Sequence, residues 1–217
     1  FQDDKHIGST GDLSTFSFHQ TKNITCGEGG ALVINNSRLI ERAKIIREKG
    51  TNRSDFLNKK TSLYTWMDIG SSYLINEISA AFLWAQLQES KLITSKRLKI
   101  WEIYKKEFSD LENDGKLKLQ QINKKSNINA HIFYILLKNK FSQERFINFM
   151  DENLIQCLKH YVPLHNSPYG RKVSKVKSPL KLTESVSNRI VRLPIWIGLD
   201  NYQELIINKS KEFLLSN

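Results

Sequence analysis

Lys22 stands between a strand-like run and a cluster of glycines, in the stretch Ser17-Phe-His-Gln-Thr-Lys-Asn-Ile-Thr-Cys-Gly-Glu-Gly-Gly-Ala31. Phe16, Ser17, Phe18 and His19 alternate aromatic and polar groups as a half-buried strand does. Gly27, Gly29 and Gly30 signal a turn, and Ala31-Leu32-Val33-Ile34 then reads as a buried strand. A lysine so placed, with Ser17, Thr21 and Thr25 nearby, is suited to two kinds of chemistry. Its ammonium could join hydroxyls and backbone N–H groups around a phosphate, or its amine, partly desolvated, could form a Schiff base. The third reading is a solvated lysine beside a turn. A Gly-x-x-x-x-Gly-Lys phosphate loop is excluded, because the glycines follow the lysine instead of preceding it.

Two other groups of residues could line a site. The run Tyr64-Thr-Trp-Met-Asp-Ile-Gly-Ser-Ser-Tyr73 is aromatic but has neither helical nor strand period, as functional loops often lack it. The segment His160-Tyr-Val-Pro-Leu-His165 places two histidines where a predicted strand gives way to a loop. No carboxylate or thiol stands at ligand spacing beside them, so no metal site is expected.

Ser-Phe-His-x-Thr-Lys-Asn followed by Gly-Glu-Gly-Gly-Ala resembles the cofactor-lysine motif of the DegT/DnrJ/StrS family, nucleotide-sugar aminotransferases of the fold-type I pyridoxal-phosphate class. The resemblance implies that Lys22 carries pyridoxal 5′-phosphate as a Schiff base and that Ser17 contacts its phosphate. A lysine, in place of the histidine of sister dehydratases, implies transamination. Gly70 to Leu87 resembles the segment that reaches across a homodimer toward the partner's cofactor, where Ser72 and Tyr73 are the matching residues. Ser72 and Leu74 depart from the Asn or Arg that many members carry here. Tyr-x-Pro-Leu-His-x-x-Pro resembles the segment lining the sugar-nucleotide pocket, which implies substrate-binding roles for His160, Tyr161 and His165. Arg192-Leu-Pro194 resembles a further family segment with a structural role. At a finer level, Tyr64–Leu87 and His160–His165 imply transfer of an amino group from glutamate to dTDP-4-keto-6-deoxyglucose, giving dTDP-4-amino-4,6-dideoxygalactose for cell-surface polysaccharide. A 3-keto sugar, or a non-catalytic dimerisation or binding module, is the alternative.

The elements that must position these residues read as an α/β fold. Residues 1–88 are expected to be the C-terminal part of a cofactor-binding large domain, residues 89–111 a linking helix and residues 112–217 a small α+β domain. Ser37 is a candidate cap for a helix with Leu39, Ile40, Ala43 and Ile46 on one face, closed by Lys49 and Gly50. Asn76–Leu111 reads as a long helical stretch with a possible break between Ser90 and Ser95. Its Ile78, Ala81, Phe82 and Ala85 share one face, its Trp101, Tyr104, Phe108 and Leu111 continue the period, and the aromatics are expected in the core. Strands are predicted at 116–120, 130–136 and 157–164, and helices at 142–153 and 183–192. Asp200 and Gln203 resemble a capping box before a last helix with Tyr202, Leu205, Ile206 and Phe213 inward.

Composition narrows the classes. The chain has 217 residues and a formal net charge of +11, but its lysines are scattered along the sequence, so nucleic acid is not expected as a partner. Cys26 and Cys157 are too few for a disulfide framework or a zinc site and are expected to be reduced. No run is long and apolar enough to span a bilayer, and a cytoplasmic location is expected. Because the strand-like motif follows so soon after Phe1, the sequence is expected to be the C-terminal portion of a longer protein. The resemblance implies that the partner of the pyridine nitrogen, the stacking aromatic and the first phosphate turn lie upstream.

Overall fold

The computed structural model describes residues 5–176 and 178–216. They form two compact units: the first extends to Lys91 and includes Lys124–Asn127, and the second comprises Leu92–Asn123 and the residues from Ile128 onward.

In the first unit, β1 (Leu13–Ser17) pairs antiparallel with β2 (Gly30–Ile34), placing Ser17 opposite Gly30 and Phe16 opposite Ala31. A short 3-10 turn at Ser37–Leu39 leads into α1 (Ile40–Arg47), followed by α2 (Arg53–Leu57), an extended loop and α3 (Glu77–Gln88). Two expectations need correction at α1 and β2. The capping side chain is Asn36, which accepts the Arg38 N–H, and not Ser37. Strand β2 is exposed over Gly30–Ala31–Leu32 instead of buried, because a two-stranded ribbon shields neither of its faces. Cys26 is the one fully buried apolar side chain among the described residues of this unit.

The long helical reading divides at Glu89 into α3 and α4 (Ser90–Asn113). Their burial differs sharply. On α3, capped by Asn76 through the Ser79 N–H, Ile78 is 85% exposed, and Phe82 and Trp84 are also exposed, against the expectation that Phe82 is core. On α4, Ile93, Arg97, Ile100, Trp101, Tyr104, Phe108 and Leu111 are buried at spacings of three and four, as expected of one helical face. α3 is apolar nearly all round, whereas α4 has one apolar face, and that face packs on the core of its unit.

The second unit is built on an antiparallel sheet of order β3-β4-β6-β5, with β3 Lys118–Leu119, β4 Phe133–Leu136, β5 Leu158–Lys159 and β6 Ile190–Leu193. Helix α5 (Lys140–Glu152) is capped by Asn139 and buries Phe146 and Met150. Short helices α6 (Gly170–Val173) and α7 (Lys181–Ser187) precede β6, and α8 (Gln203–Ser216) follows it. Helix 183–192 is thus corrected: α7 ends at Ser187, and Ile190–Leu193 is a central strand. With Ile190, Val191 and Leu193 all buried, β6 lacks the alternation that marks a strand with one wet face. Strand 157–164 shrinks to Leu158–Lys159, since Pro163 and the 3-10 turn Leu164–Asn166 turn the chain away.

The core of this unit gathers the buried face of α4, the sheet, and Ile206, Ile207, Phe213 and Leu214 of α8. Tyr104 lies 4.9 Å from Phe133 and 5.9 Å from Phe108 by ring centroids. Several buried polar groups find their partners within it. Arg97 donates to the carbonyls of Ala130 and His131 at 3.1 and 2.8 Å, and Tyr104 donates to the Pro194 carbonyl at 3.0 Å. The Gln203 amide donates to the Ile100 carbonyl at 2.7 Å, so it serves the core and not a capping box. Tyr202 and Leu205 are exposed, while Ile206 and Phe213 point inward.

Candidate functional site

Lys22 lies in the connection between β1 and β2, and that connection is drawn into a compact loop closed on Phe18. The Phe18 N–H donates to the Gly29 carbonyl at 2.8 Å, and the Phe18 carbonyl accepts the Cys26 N–H at 2.9 Å and the Thr25 hydroxyl at 3.2 Å. Cys26 fills the inside. A Cβ on Gly29 would sit 2.5 Å from Cys26 Sγ, so only glycine lets the backbone pass so closely over the thiol. The Lys22 N–H closes a tight turn on the His19 carbonyl at 2.9 Å. Lys22 itself is exposed, and its ammonium has no hydrogen bond or ion pair with any described residue. Ser17 is exposed at the end of β1, where its Oγ accepts the His19 N–H at 3.4 Å.

Ser72 and Tyr73 occupy a second loop of the same unit, held against the end of α1. Glu48 and Ser72 form an isolated antiparallel bridge, the Lys49 N–H donates to the Ser71 carbonyl at 3.0 Å, and the Tyr73 N–H donates to the Arg47 carbonyl at 3.1 Å. Both side chains are exposed. The two loops meet just beyond Tyr73, since Ile75 Cδ1 lies 3.3 Å from where a Gly29 Cβ would be.

Glu48 was not marked by its sequence, although it organises this second loop. Its buried carboxylate receives Arg47 at 2.8 Å, Ser54 at 3.0 Å and Arg53 at 3.2 Å. Burial pushes its pKa up, but these three partners outweigh burial and hold the carboxyl below its usual range. Its charged neighbours Arg47 and Arg53 are legible in the sequence, but the burial of the carboxylate among them is not.

His160, Tyr161 and His165 belong to the second unit. The His160 and Tyr161 rings are 5.2 Å apart, and the Arg192 guanidinium lies 5.8 Å over the Tyr161 ring. Burial, with the Arg192 charge adding to it, lowers the His160 pKa. Arg192 Nε is buried without a hydrogen-bond partner among the described residues. His165 is turned away from this pair, with its Nε2 3.2 Å from Glu184 Oε1 and its side chain 13% exposed. Ser17 and Lys22 thus lie on either side of His19 in one loop, and His160 and Tyr161 pack together, whereas His165 has a separate partner.

Among the described residues, no cluster of three or more His, Cys, Asp or Glu could hold a metal ion, and no helix is long and apolar enough to cross a membrane.

Comparison with known proteins draws these features together. Residues 2–209 match the model of the DegT/DnrJ/EryC1/StrS aminotransferase family. GDP-perosamine synthase of Vibrio cholerae is 31% identical over 96% of this chain and 54% of its own length. UDP-4-amino-4,6-dideoxy-N-acetyl-beta-L-altrosamine transaminase of Helicobacter pylori is 28% identical, over 96% of this chain and 54% of its own. The solved structure of Helicobacter pylori PseC, an aminotransferase involved in the biosynthesis of pseudoaminic acid, superposes with a TM-score of 0.85 at 26% identity. That match covers 99% of this chain and 56% of PseC. The chain thus spans about half the length of the curated relatives it matches. It belongs to the DegT/DnrJ/EryC1/StrS aminotransferase family, whose members depend on pyridoxal 5′-phosphate.

Proposed function

We propose that this chain carries the catalytic lysine of a sugar aminotransferase, moving an amino group from glutamate to the 4-keto carbon of a nucleotide-linked 6-deoxy sugar. The observation that carries the reading is the place of Lys22 in the Ser-Phe-His-x-Thr-Lys-Asn motif of a chain that matches the aminotransferase family model over residues 2–209, on a tight turn that leaves its amine without a partner among the described residues. In this unit the amine is solvated, whereas a Schiff base needs it partly desolvated, so the bound cofactor and the rest of the enzyme would have to cover it. The rest of the strap also fits pyridoxal 5′-phosphate: Ser17 accepts a bond at Oγ and keeps its O–H to donate to an anion. When bound, that cofactor supplies an electron sink for the substrate carbon that bears nitrogen.

Each residue then has a stated task. Lys22 would hold the cofactor through Nζ and, as a free amine, would take and return the proton on the nitrogen-bearing substrate carbon. Ser17 would donate to the cofactor phosphate, and Ser72 and Tyr73 would contact that phosphate from the partner protomer of a homodimer. His160, Tyr161 and His165 line the sugar-nucleotide pocket. Residues 1–88 belong to the cofactor-binding domain. Residues 89–111 link it to the small domain at 112–217, and the enzyme works in the cytoplasm.

Position C4 is supported by the name of the Helicobacter pylori transaminase, which places an amino group there on a 4,6-dideoxy sugar. The dTDP-linked substrate, dTDP-4-keto-6-deoxyglucose, is supported by the resemblance of Tyr64–Leu87 and His160–His165. The test is to incubate the complete protein with glutamate and, separately, 3-keto and 4-keto dTDP-, GDP- and UDP-sugars. The expected product is the 4-amino dTDP-sugar. Amination at C3, or of a GDP- or UDP-sugar alone, would move the assignment, and no amination of any of them would end it.

A further inference from the structure

Several hydrogen bonds converge on His19. Its N–H donates to Ser17 Oγ at 3.4 Å, and its carbonyl accepts the Lys22 N–H at 2.9 Å. Its ring Nδ1 accepts the Thr21 backbone N–H at 3.2 Å and lies 3.0 Å from Thr21 Oγ1. A ring nitrogen that accepts from a backbone N–H carries no proton of its own. The ring proton therefore sits on Nε2, the nitrogen 3.5 Å from Glu28 Oε1. Glu28 is 86% exposed, so that contact adds little, and the bond to Thr21 sets the ring. Thr21 immediately precedes Lys22, so the ring braces the turn from which the Lys22 side chain leaves the backbone.

Resting on the reading of Lys22 as the cofactor-bearing amine, we propose that His19 is a positioning residue for Lys22, its unprotonated Nδ1 holding the Thr21 amide. The device copies an Asx-turn, in which a side-chain acceptor takes the N–H two residues on. Asparagine can therefore replace it, because Asn Oδ1 occupies the same branch position as His Nδ1. Phenylalanine cannot, although it keeps a ring of similar size.

The experiment uses the complete protein with pyridoxal 5′-phosphate and reads two quantities in wild type, His19→Phe and His19→Asn. One is amide-exchange protection at Thr21 and Lys22. The other is the rate at which borohydride fixes the cofactor to Lys22, measured by peptide mass spectrometry. His19→Phe should lower Thr21 protection about tenfold and slow labelling by a similar factor, as loss of one backbone bond implies. His19→Asn should stay close to wild type in both. If His19→Phe matches wild type, or His19→Asn fails as His19→Phe does, the positioning role is wrong. If wild-type Lys22 takes no label, the functional reading fails and takes the positioning role with it; a labelled wild type with an unaffected His19→Phe overturns the positioning role alone.

Discussion

Gly50 and Gly70 lie backbone against backbone: a Cβ on Gly70 would stand 2.2 Å from Gly50 N, and one on Gly50 1.7 Å from the Asp68 carbonyl oxygen. This contact seats the loop that presents Ser72 and Tyr73. The Gly50 carbonyl accepts the N–H groups of Met67 and Asp68, and the Ser71 N–H donates to the Ile46 carbonyl. Gly70→Ala must push the two segments apart, at a cost of about 2 kcal/mol or more. Amide exchange should show lost protection at Met67, Ser71 and Tyr73 with β1 and β2 unchanged. Unchanged protection at Ser71 would contradict the seating.

Glu48 anchors the same loop by charge. A carboxyl held below its ordinary pKa adds stability that is present above about pH 4.3 and is lost as pH falls through its folded value. Glu48→Gln should cost about 1–3 kcal/mol at neutral pH, since its two arginine partners are half exposed. The gap between wild type and Glu48→Gln should close on acidification. Urea dependence of amide-exchange protection at Ser71 and Tyr73, at neutral and acid pH, would read both values.

Cys157 reports the second unit's core. Burial pushes its thiol up to about 12, so the folded state disfavours the reactive thiolate, and stability falls as pH rises from the ordinary thiol range toward that value. A thiol reagent at pH 8 should leave Cys157 unlabelled in the native protein and label it in urea. Native labelling at the rate of a free thiol would contradict its place in the core.

His160 and Arg192 can be separated by titration. Burial first, and the Arg192 charge second, lower the His160 pKa, so the ring stays neutral to a lower pH than an exposed histidine. Stability drawn from the neutral ring is present above the ordinary histidine value of about 6.5 and is lost as pH falls below it. Arg192→Gln should raise the His160 midpoint part of the way toward that value, read by NMR of the ring protons. A midpoint unmoved by the substitution would leave burial as the sole cause.

How much could be read in advance depended on the kind of interaction. Helical period placed Tyr104, Phe108 and Leu111 in the core, because a helix face buried against a sheet repeats every three or four residues. On α3, Phe82 was marked as core although it is exposed, because the spacing of apolar residues records which residues are apolar and not what covers them. Strand β6 was hidden because a central strand with both faces buried does not alternate. Lys22 and Ser17 stood out as local chemistry in one motif. The bond from Thr21 to His19 and the three partners of Glu48 did not, since they depend on turn geometry and burial that spacing does not encode.

The most direct measurement is the site of cofactor attachment. The complete protein, incubated with pyridoxal 5′-phosphate and reduced with borohydride, is digested and mapped by mass spectrometry. The expected result is one pyridoxyl group on Lys22, lost in Lys22→Ala together with the visible absorption band. A fully trapped protein in which Lys22 is unmodified, or in which Lys22→Ala keeps the label elsewhere, contradicts the assignment of Lys22 as the catalytic lysine.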